Sequence, residues 1–267
     1  MPIAFFWFMV QGIAMMVALW LGMRMGRGRY CRLWFAVGLA LLAFWGCLHY
    51  NPSVAVQLIP IGVMYYIEGT GAVPAFMLIV GIAYGSSKLA RQRRLTVLAM
   101  MLGIVFFLQG GLWMLQTTPQ QIFANTMVTD DATMVMQSQD FSCVPAACAT
   151  ALREIGLEAT ESEMAVLTQT RPGTGATLIR AAQALRRKLE PEGIKVHIIQ
   201  PTYEQLRHLP VPILTPLQLE VSKRHMVTIL NIHRNGVLIA DPINGKVYMQ
   251  RRDFEAAFIG QIIALER

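Results

Sequence analysis

The alternation of apolar and polar positions divides the chain into two halves of different character. Ile3 to Met23 is an uncharged run of 21 residues, long enough to span a bilayer as a helix. Leu33 to His49 is a second, slightly shorter run, with Trp34 and Trp45 near its ends, where amphipathic rings favour a membrane interface. Asn51-Pro52 breaks it. Val54 to Gly85 stays apolar but is interrupted by Pro60, Gly62, Glu68, Gly69, Gly71 and Pro74. That pattern predicts an interfacial or re-entrant piece around Ile59 to Ile67, then a spanning helix over about residues 71–85. Leu95 to Leu115 is the last apolar run, so residues 1–116 read as an α-helical membrane region of about four transmembrane helices.

Beyond residue 116 the pattern is that of a water-soluble domain. Residues 117–134 are polar and mixed, a tether carrying Pro119 and Asp130-Asp131. Pro145, which a helix tolerates only in its first turn, predicts a helix that begins very near Cys143 and stops at Gly156. Thr160-Glu161-Ser162-Glu163 has the form of a capping box for a short helix to Thr168, and an apolar stripe at Leu178, Ala181, Ala182 and Leu185 predicts a third helix over 177–189. From Lys195 onward the period changes to two. Strands are expected at 196–200, 212–220, 226–233, 237–241 and 246–250, with hairpin turns at Asn235-Gly236 and Asn244-Gly245. Helices followed by an antiparallel sheet is an α+β order for residues 135–267.

Charge sharpens this division. The chain carries 23 Lys/Arg and 16 Asp/Glu. Residues 1–116 hold eight of the basic residues and one acid, Glu68, which leaves the globular half with 15 of each; the net charge of +7 belongs to the first half. The eight cations lie in two clusters, Arg24 to Arg32 and Lys88 to Arg94, between apolar runs. This is a membrane-flanking pattern rather than a nucleic-acid footprint. Four spans place both clusters on one side, the cytoplasmic one by the positive-inside rule, and the globular half on the other. Ile3 to Met23 has no basic region before it and no small-residue cleavage signature after it, so it reads as an anchor rather than a removed signal peptide. Glu68, at the edge of a Gly-rich break, is expected to be interfacial and wetted.

The candidate chemistry lies in QSQDFSCVPAACATA, residues 137–151. A cysteine at the mouth of a helix has its thiolate stabilised by unpaired N–H groups and the positive end of the helix dipole. Cys143 is therefore the candidate nucleophile. Gln137, six residues upstream, can fold back to offer its side-chain NH2 to the oxygen of a tetrahedral intermediate, with the Cys143 backbone N–H. Downstream, His225 opens an apolar run and Asp241 closes another, which supplies a proton shuttle and an acid to orient it. Their juxtaposition is not given by a simple hairpin: a tight turn at Asn235-Gly236 pairs Asp241 with about Leu230, five residues from His225. Either His225 lies ahead of its strand or a bulge shifts the register. Cys148 lies about 140° further round the same helix, Cys31 and Cys47 belong to the membrane half, and no pair has zinc-site spacing, so no metal or cofactor is expected.

At these residues the sequence resembles the bacteriocin-processing C39 peptidases of the papain-like superfamily: Gln-x5-Cys opening a helix, a later His leading an apolar strand, and an Asp-Pro some sixteen residues on. The resemblance covers residues 135–267. It differs in having Ser142-Cys143-Val144 where the family usually has Asp-Cys-Gly, and in lacking a phosphate-cradling GxxxxGK[ST] loop. It implies a papain-like fold and a thiol peptidase with catalytic Cys143, His225, Asp241 and Gln137. The implied partners are a polypeptide substrate, a lipid bilayer, no nucleic acid and a separate export machinery. The implied location is the bacterial inner membrane, with the peptidase domain on the outer side. Two other functions use the same residues: a non-catalytic module that holds a leader or partner peptide, and transglutaminase-like or amidase acyl transfer.

Overall fold

A computed structural model describes residues 2–115, 132–220 and 223–266. The chain forms two compact units, Met1–Gln116 and Thr117–Arg267. Most of the expected 117–134 tether lies outside the described residues.

The first unit is helical: α1 (Pro2–Gly26), α2 (Cys31–Tyr50), α3 (Pro52–Leu58), α4 (Ile61–Ile67), α5 (Ala72–Ser86) and α6 (Ala90–Leu115). Among the described residues three stretches are long and apolar enough to cross a membrane, Ile3–Gly26, Cys31–Tyr50 and Ala90–Gly111. The pair α4 and α5, bent by 52°, makes a fourth if it is one span. Packing rests on close backbone approach. A Cβ added at Gly22 or Gly26 of α1 would collide with the carbonyls of Leu78 and Ile82, and one at Gly81 or Gly85 of α5 with those of Leu19 and Met23. Two small-xxx-small faces thus lie against each other, the form helix association takes where lipid leaves no hydrophobic drive. The contacts advance together along both helices, so α1 and α5 run parallel and the turns after them lie at one end of the unit. Around this seam Val73, Met77 and Phe107 form a small core, with Phe8 stacked on Phe107 at 4.7 Å.

The Asn51-Pro52 break is followed by a short helix, because Pro52 sits in a first turn, where its missing N–H costs nothing. The second basic cluster is largely helical: α6 begins at Ala90, so Arg91, Arg93 and Arg94 occupy its first turns, and Arg93 Nε donates to Ser87 O at 3.2 Å. One expectation for this unit needs correction. Glu68 is 9% exposed within the unit rather than at an open edge. Beside it the α4–α5 break is satisfied internally, with Gln11 Nε2 donating to Tyr66 O at 3.2 Å and Thr70 Oγ1 to Gln11 Oε1.

The second unit starts with α7 (Cys143–Glu154), α8 (Glu161–Leu167) and α9 (Leu178–Leu189), then β1 (Lys195–Ile199), α10 (Tyr203–Leu206), β2 (Ile213–Glu220), β3 (Lys223–Ile232), β4 (Gly236–Asp241), β5 (Gly245–Gln250), α11 (Arg251–Ala257) and β6 (Ile262–Glu266). The six strands form one antiparallel sheet in the order β1-β6-β2-β3-β4-β5. α10, α11 and β6 add to the five strands read from the sequence. Tyr203, Leu206 and Phe254 of the two short helices cover Leu217, Val227 and Ile239 of the sheet. Only half of the expected capping box forms at α8. Thr160 accepts from the Glu163 N–H at 3.1 Å, but the Glu163 carboxylate instead takes Lys188 Nζ at 2.6 Å.

α7 packs on β3, and one buried hydrogen bond locks the pair: Thr228 Oγ1 donates to Ala147 O at 2.9 Å. Ala147 is one turn beyond Cys143, and Thr228 is three residues beyond His225. The contact therefore sets the helix mouth beside the start of the strand.

Candidate active site

The local sequence explains where each piece ends. Ser142 is fully buried and makes a tight turn with Gln139, accepting its N–H at 3.0 Å and donating to its carbonyl at 2.9 Å. α7 starts at the next residue, so Cys143 has its own and the Val144 N–H groups unspent on the helix. Cys143 is half-buried while Cys148 is wholly buried, and burial pushes the Cys148 thiol far up into an inert form.

His225 lies within β3, opposite Leu217 of β2. Between β3 and β4 the partners run Ile232 with Val237 and Asn231 with Leu238, then Ile229 with Ile239 and Thr228 with Ala240, leaving Leu230 as a bulge. The turn also sits one residue earlier than Asn235-Gly236: His233 N–H bonds Gly236 O at 2.8 Å across Arg234-Asn235. Continued one step, this register sets Asp241 opposite Val227. The separation from His225 falls from the five residues of a tight hairpin to two, a diagonal neighbour within side-chain reach. His225 Nε2 and Asp241 Oδ1 are 2.6 Å apart and almost fully buried.

Asp241 is itself held. Oδ1 accepts the Ile243 N–H and Oδ2 accepts Asn244 Nδ2, both at 2.8 Å. Burial opposes its charge, yet the hydrogen bond to His225, then those from Ile243 and Asn244, bring its pKa down to about 2. Burial likewise opposes a proton on His225, but the bonds to Asp241 and Cys143 and the two negative charges hold it, up to about 9. Burial would push the Cys143 thiol up. The hydrogen bond with His225, the Met226 N–H, the His225 charge and the Val144 N–H together outweigh it and leave the thiol below its ordinary value. With Nε2 committed to Asp241, Nδ1 is the imidazole nitrogen left for the sulfur. A thiolate–imidazolium pair is what this arrangement favours.

Gln137 joins the same region through its backbone: its N–H donates to Pro242 O, next to Asp241, at 2.9 Å. Its side chain turns along its own loop, Nε2 donating to Gln139 O at 3.0 Å, which leaves one amide hydrogen unspent. His225 and Asp241 are thus bonded directly, Cys143 is near enough for it and His225 to shift each other's pKa, and Gln137 is tied to the same loop as the acid. Asn244 and Thr228 were not foreseen as site residues. Asn244 was readable only as a turn former in Asp-Pro-Ile-Asn-Gly, where its side chain caps the carboxylate three residues back. Among the described residues no group of three or more His, Cys, Asp or Glu side chains could hold a metal ion.

A model of the Peptidase C39 family matches residues 131–267. An uncharacterised protein of Methanothermobacter thermautotrophicus is 30% identical over 156 residues, covering 55% of this chain and 97% of its own length. An uncharacterised protein of Methanothermobacter marburgensis is 26% identical over 147 residues, with the same coverages. Among solved structures, a double glycine motif protease from an AMS/PCAT transporter, in complex with the leader peptide, is 18% identical, covers 54% of this chain and 92% of its own, and has a TM-score of 0.44. The peptidase domain of Streptococcus ComA, a bifunctional ABC transporter of a quorum-sensing pathway, is 19% identical, covers 49% and 95%, and has the same TM-score.

Proposed function

Because this chain belongs to the Peptidase C39 family, we propose that it is a membrane-anchored cysteine peptidase that cleaves exported or membrane-tethered polypeptides. The observation that carries the reading is the buried 2.6 Å His225–Asp241 pair beside a thiol held below its ordinary pKa. Cys143 Sγ attacks the carbonyl carbon of the scissile peptide. The resulting oxyanion is met by the second Gln137 Nε2–H and the Cys143 N–H. The His225 imidazolium gives its Nδ1 proton to the leaving amine as the C–N bond breaks, and a thioester remains. A water then loses a proton to His225 and attacks the thioester, releasing the acid and regenerating the thiolate. Asp241 keeps Nε2–H engaged throughout, and Asn244 and the Ile243 N–H keep Asp241 in place.

In this reading residues 1–116 are the anchor, residues 117–134 the tether and residues 135–267 the peptidase domain. The shared end reached by α1 and α5 carries the two basic clusters, which the positive-inside rule assigns to the cytoplasm. With an even number of spans, the peptidase domain faces the other side of the bacterial inner membrane and meets polypeptides after or during export.

The test is intact-mass analysis of the full chain in membranes after brief iodoacetamide treatment at neutral pH, comparing wild type with Cys143→Ala and His225→Ala. Fast single-site labelling that needs both residues is expected. Slow or scattered labelling indifferent to His225 would sink the peptidase and leave a domain that only holds peptides.

A further inference from the structure

The loop that delivers Gln137 is held by four backbone N–H groups. Val135 donates to Thr150 Oγ1 at 3.0 Å, Gln137 to Pro242 O at 2.9 Å, Ser138 to Glu161 Oε1 at 2.9 Å and Gln139 to Ser142 Oγ at 3.0 Å. Three of these acceptors belong to pieces that already build the site: the nucleophile helix, the loop after Asp241 and the turn before Cys143. The fourth comes from α8, which contributes nothing else to the chemistry, and it is a carboxylate with no exposed surface. Burying a carboxylate costs more hydration than one N–H bond returns. Glu161 is therefore poorly explained by stability.

Its position accounts for it. Ser138 is the residue after Gln137, so the peptide clamped on one side by Pro242 O is clamped on the next by Glu161. Three buried oxygens on these neighbouring residues have no hydrogen-bond partner among the described residues: Glu161 Oε2, Ser138 Oγ and Gln137 Oε1. Ser138 Oγ–H is a donor and Glu161 Oε2 an acceptor.

We infer that Glu161 is a positioning residue for the oxyanion loop: by gripping Ser138 it sets the direction of the Gln137 amide, and so acts on the tetrahedral intermediate without touching substrate. The inference rests on the reading of Gln137 as the oxyanion donor. Two small reagents separate the effects. Iodoacetamide alkylates Cys143 by direct displacement of iodide at an sp³ carbon and forms no oxyanion. 4-Nitrophenyl acetate acetylates the same sulfur through a tetrahedral oxyanion and releases 4-nitrophenolate.

In the full chain, Glu161→Ala is expected to slow acetylation about tenfold, a partial loss of one oxyanion donor, while alkylation stays within about twofold. Glu161→Gln, which keeps an acceptor for the Ser138 N–H, restores most of the acetylation rate. Glu161→Asp keeps the carboxyl group but withdraws it by one methylene, and falls between; it carries the test if the Ala variant does not fold. Combined with Gln137→Ala, each Glu161 substitution adds almost nothing, since both act through one amide. Unchanged acetylation in the Asp and Ala variants, a parallel fall of both reactions, or an additive double variant overturns the inference. Slow alkylation of the wild type itself, indifferent to His225, overturns the peptidase reading instead.

Discussion

In the first unit the large side chains face outward and the glycines face inward; in the second the order is reversed. Phe5, Phe6, Trp20, Leu33, Phe44 and Leu98 are exposed on the helices of the first unit, whose closest contacts are backbone against backbone at Gly22, Gly26, Gly81 and Gly85. Among the described residues of the second unit, the only exposed large apolar side chains are Val166, Val211, Leu219, Ile243, Val247 and Tyr248, and the interior is packed with Leu, Ile, Val, Phe and Ala. Water makes the difference. Where a bilayer surrounds a helix, association comes from close fit, because lipid and leucine are equally apolar. Where water surrounds the fold, burial itself drives association and leaves room to spend a few buried polar groups on geometry. Thr228, Ser142, Glu161, Asp241 and His225 are spent in that way.

The contrast can be broken most sharply at the sulfur. Cys143→Ala should lower turnover by about 10⁴-fold or more without moving the thermal unfolding of the full chain in detergent. Retained cleavage of any peptide by that variant would move the nucleophile elsewhere. Next, Gln137→Ala should cost about 10²- to 10³-fold in kcat while leaving the rate of Cys143 alkylation near wild type. A wild-type kcat in a peptide assay removes Gln137 from the oxyanion site.

A smaller effect is the pH response. His225 is raised to about 9, so its contribution to stability is complete below the ordinary imidazole range and is lost as pH rises through 9. Asp241 is lowered to about 2, so its contribution is complete above the ordinary carboxylate range and is lost as pH falls through 2. Between these limits the thiolate–imidazolium pair should give a bell-shaped profile. Its acid limb is set by the thiol below its ordinary value, and its alkaline limb lies near 9, falling about tenfold per pH unit beyond. A profile of kcat/KM against pH checks it, and an alkaline limb already at 6.5 would mean that Asp241 does not support the imidazolium. Asn244→Ala removes a hydrogen bond to a charged acceptor, worth about 1.5–3 kcal/mol. It should slow turnover about tenfold and shift the alkaline limb downward.

The last prediction is of no effect at the site. Gly81→Leu forces side-chain atoms into the Leu19 carbonyl of α1 and should destabilise the first unit by about 1–3 kcal/mol or more. Circular dichroism melts of the full chain in detergent should register the loss, while Cys143 alkylation stays at the wild-type rate. A joint loss would mean that the helical unit also shapes the site.

The apolar runs, the helix opening at Cys143 and most of the strands were legible because each rests on local physics: run length, period, a proline tolerated only in a first turn, and turn residues between alternating segments. The candidates Gln137, Cys143, His225 and Asp241 were picked out by residue type, spacing and family resemblance. What was legible only as a question was the approach of His225 to Asp241. The position of the turn and the bulge at Leu230 depend on how β3 packs across the sheet, and a one-residue slip has no signature in composition. Asn244 and Thr228 were read as turn and strand residues, which they are, and Glu161 only as part of a helix start. Their further roles come from partners 3, 81 and 23 residues away. The glycines of α1 and α5 were read as interruptions or ignored, since small residues become a packing face only when a partner helix presents its own. The sequence by itself determined which segments are apolar enough to span, where the nucleophile's helix begins, and which residue types can do thiol chemistry, because those depend on neighbours along the chain. Tertiary structure alone decided the register that joins imidazole to carboxylate, the lock of α7 on β3, and which buried polar groups grip the loop of Gln137, because those distances are set by contacts between residues far apart in sequence.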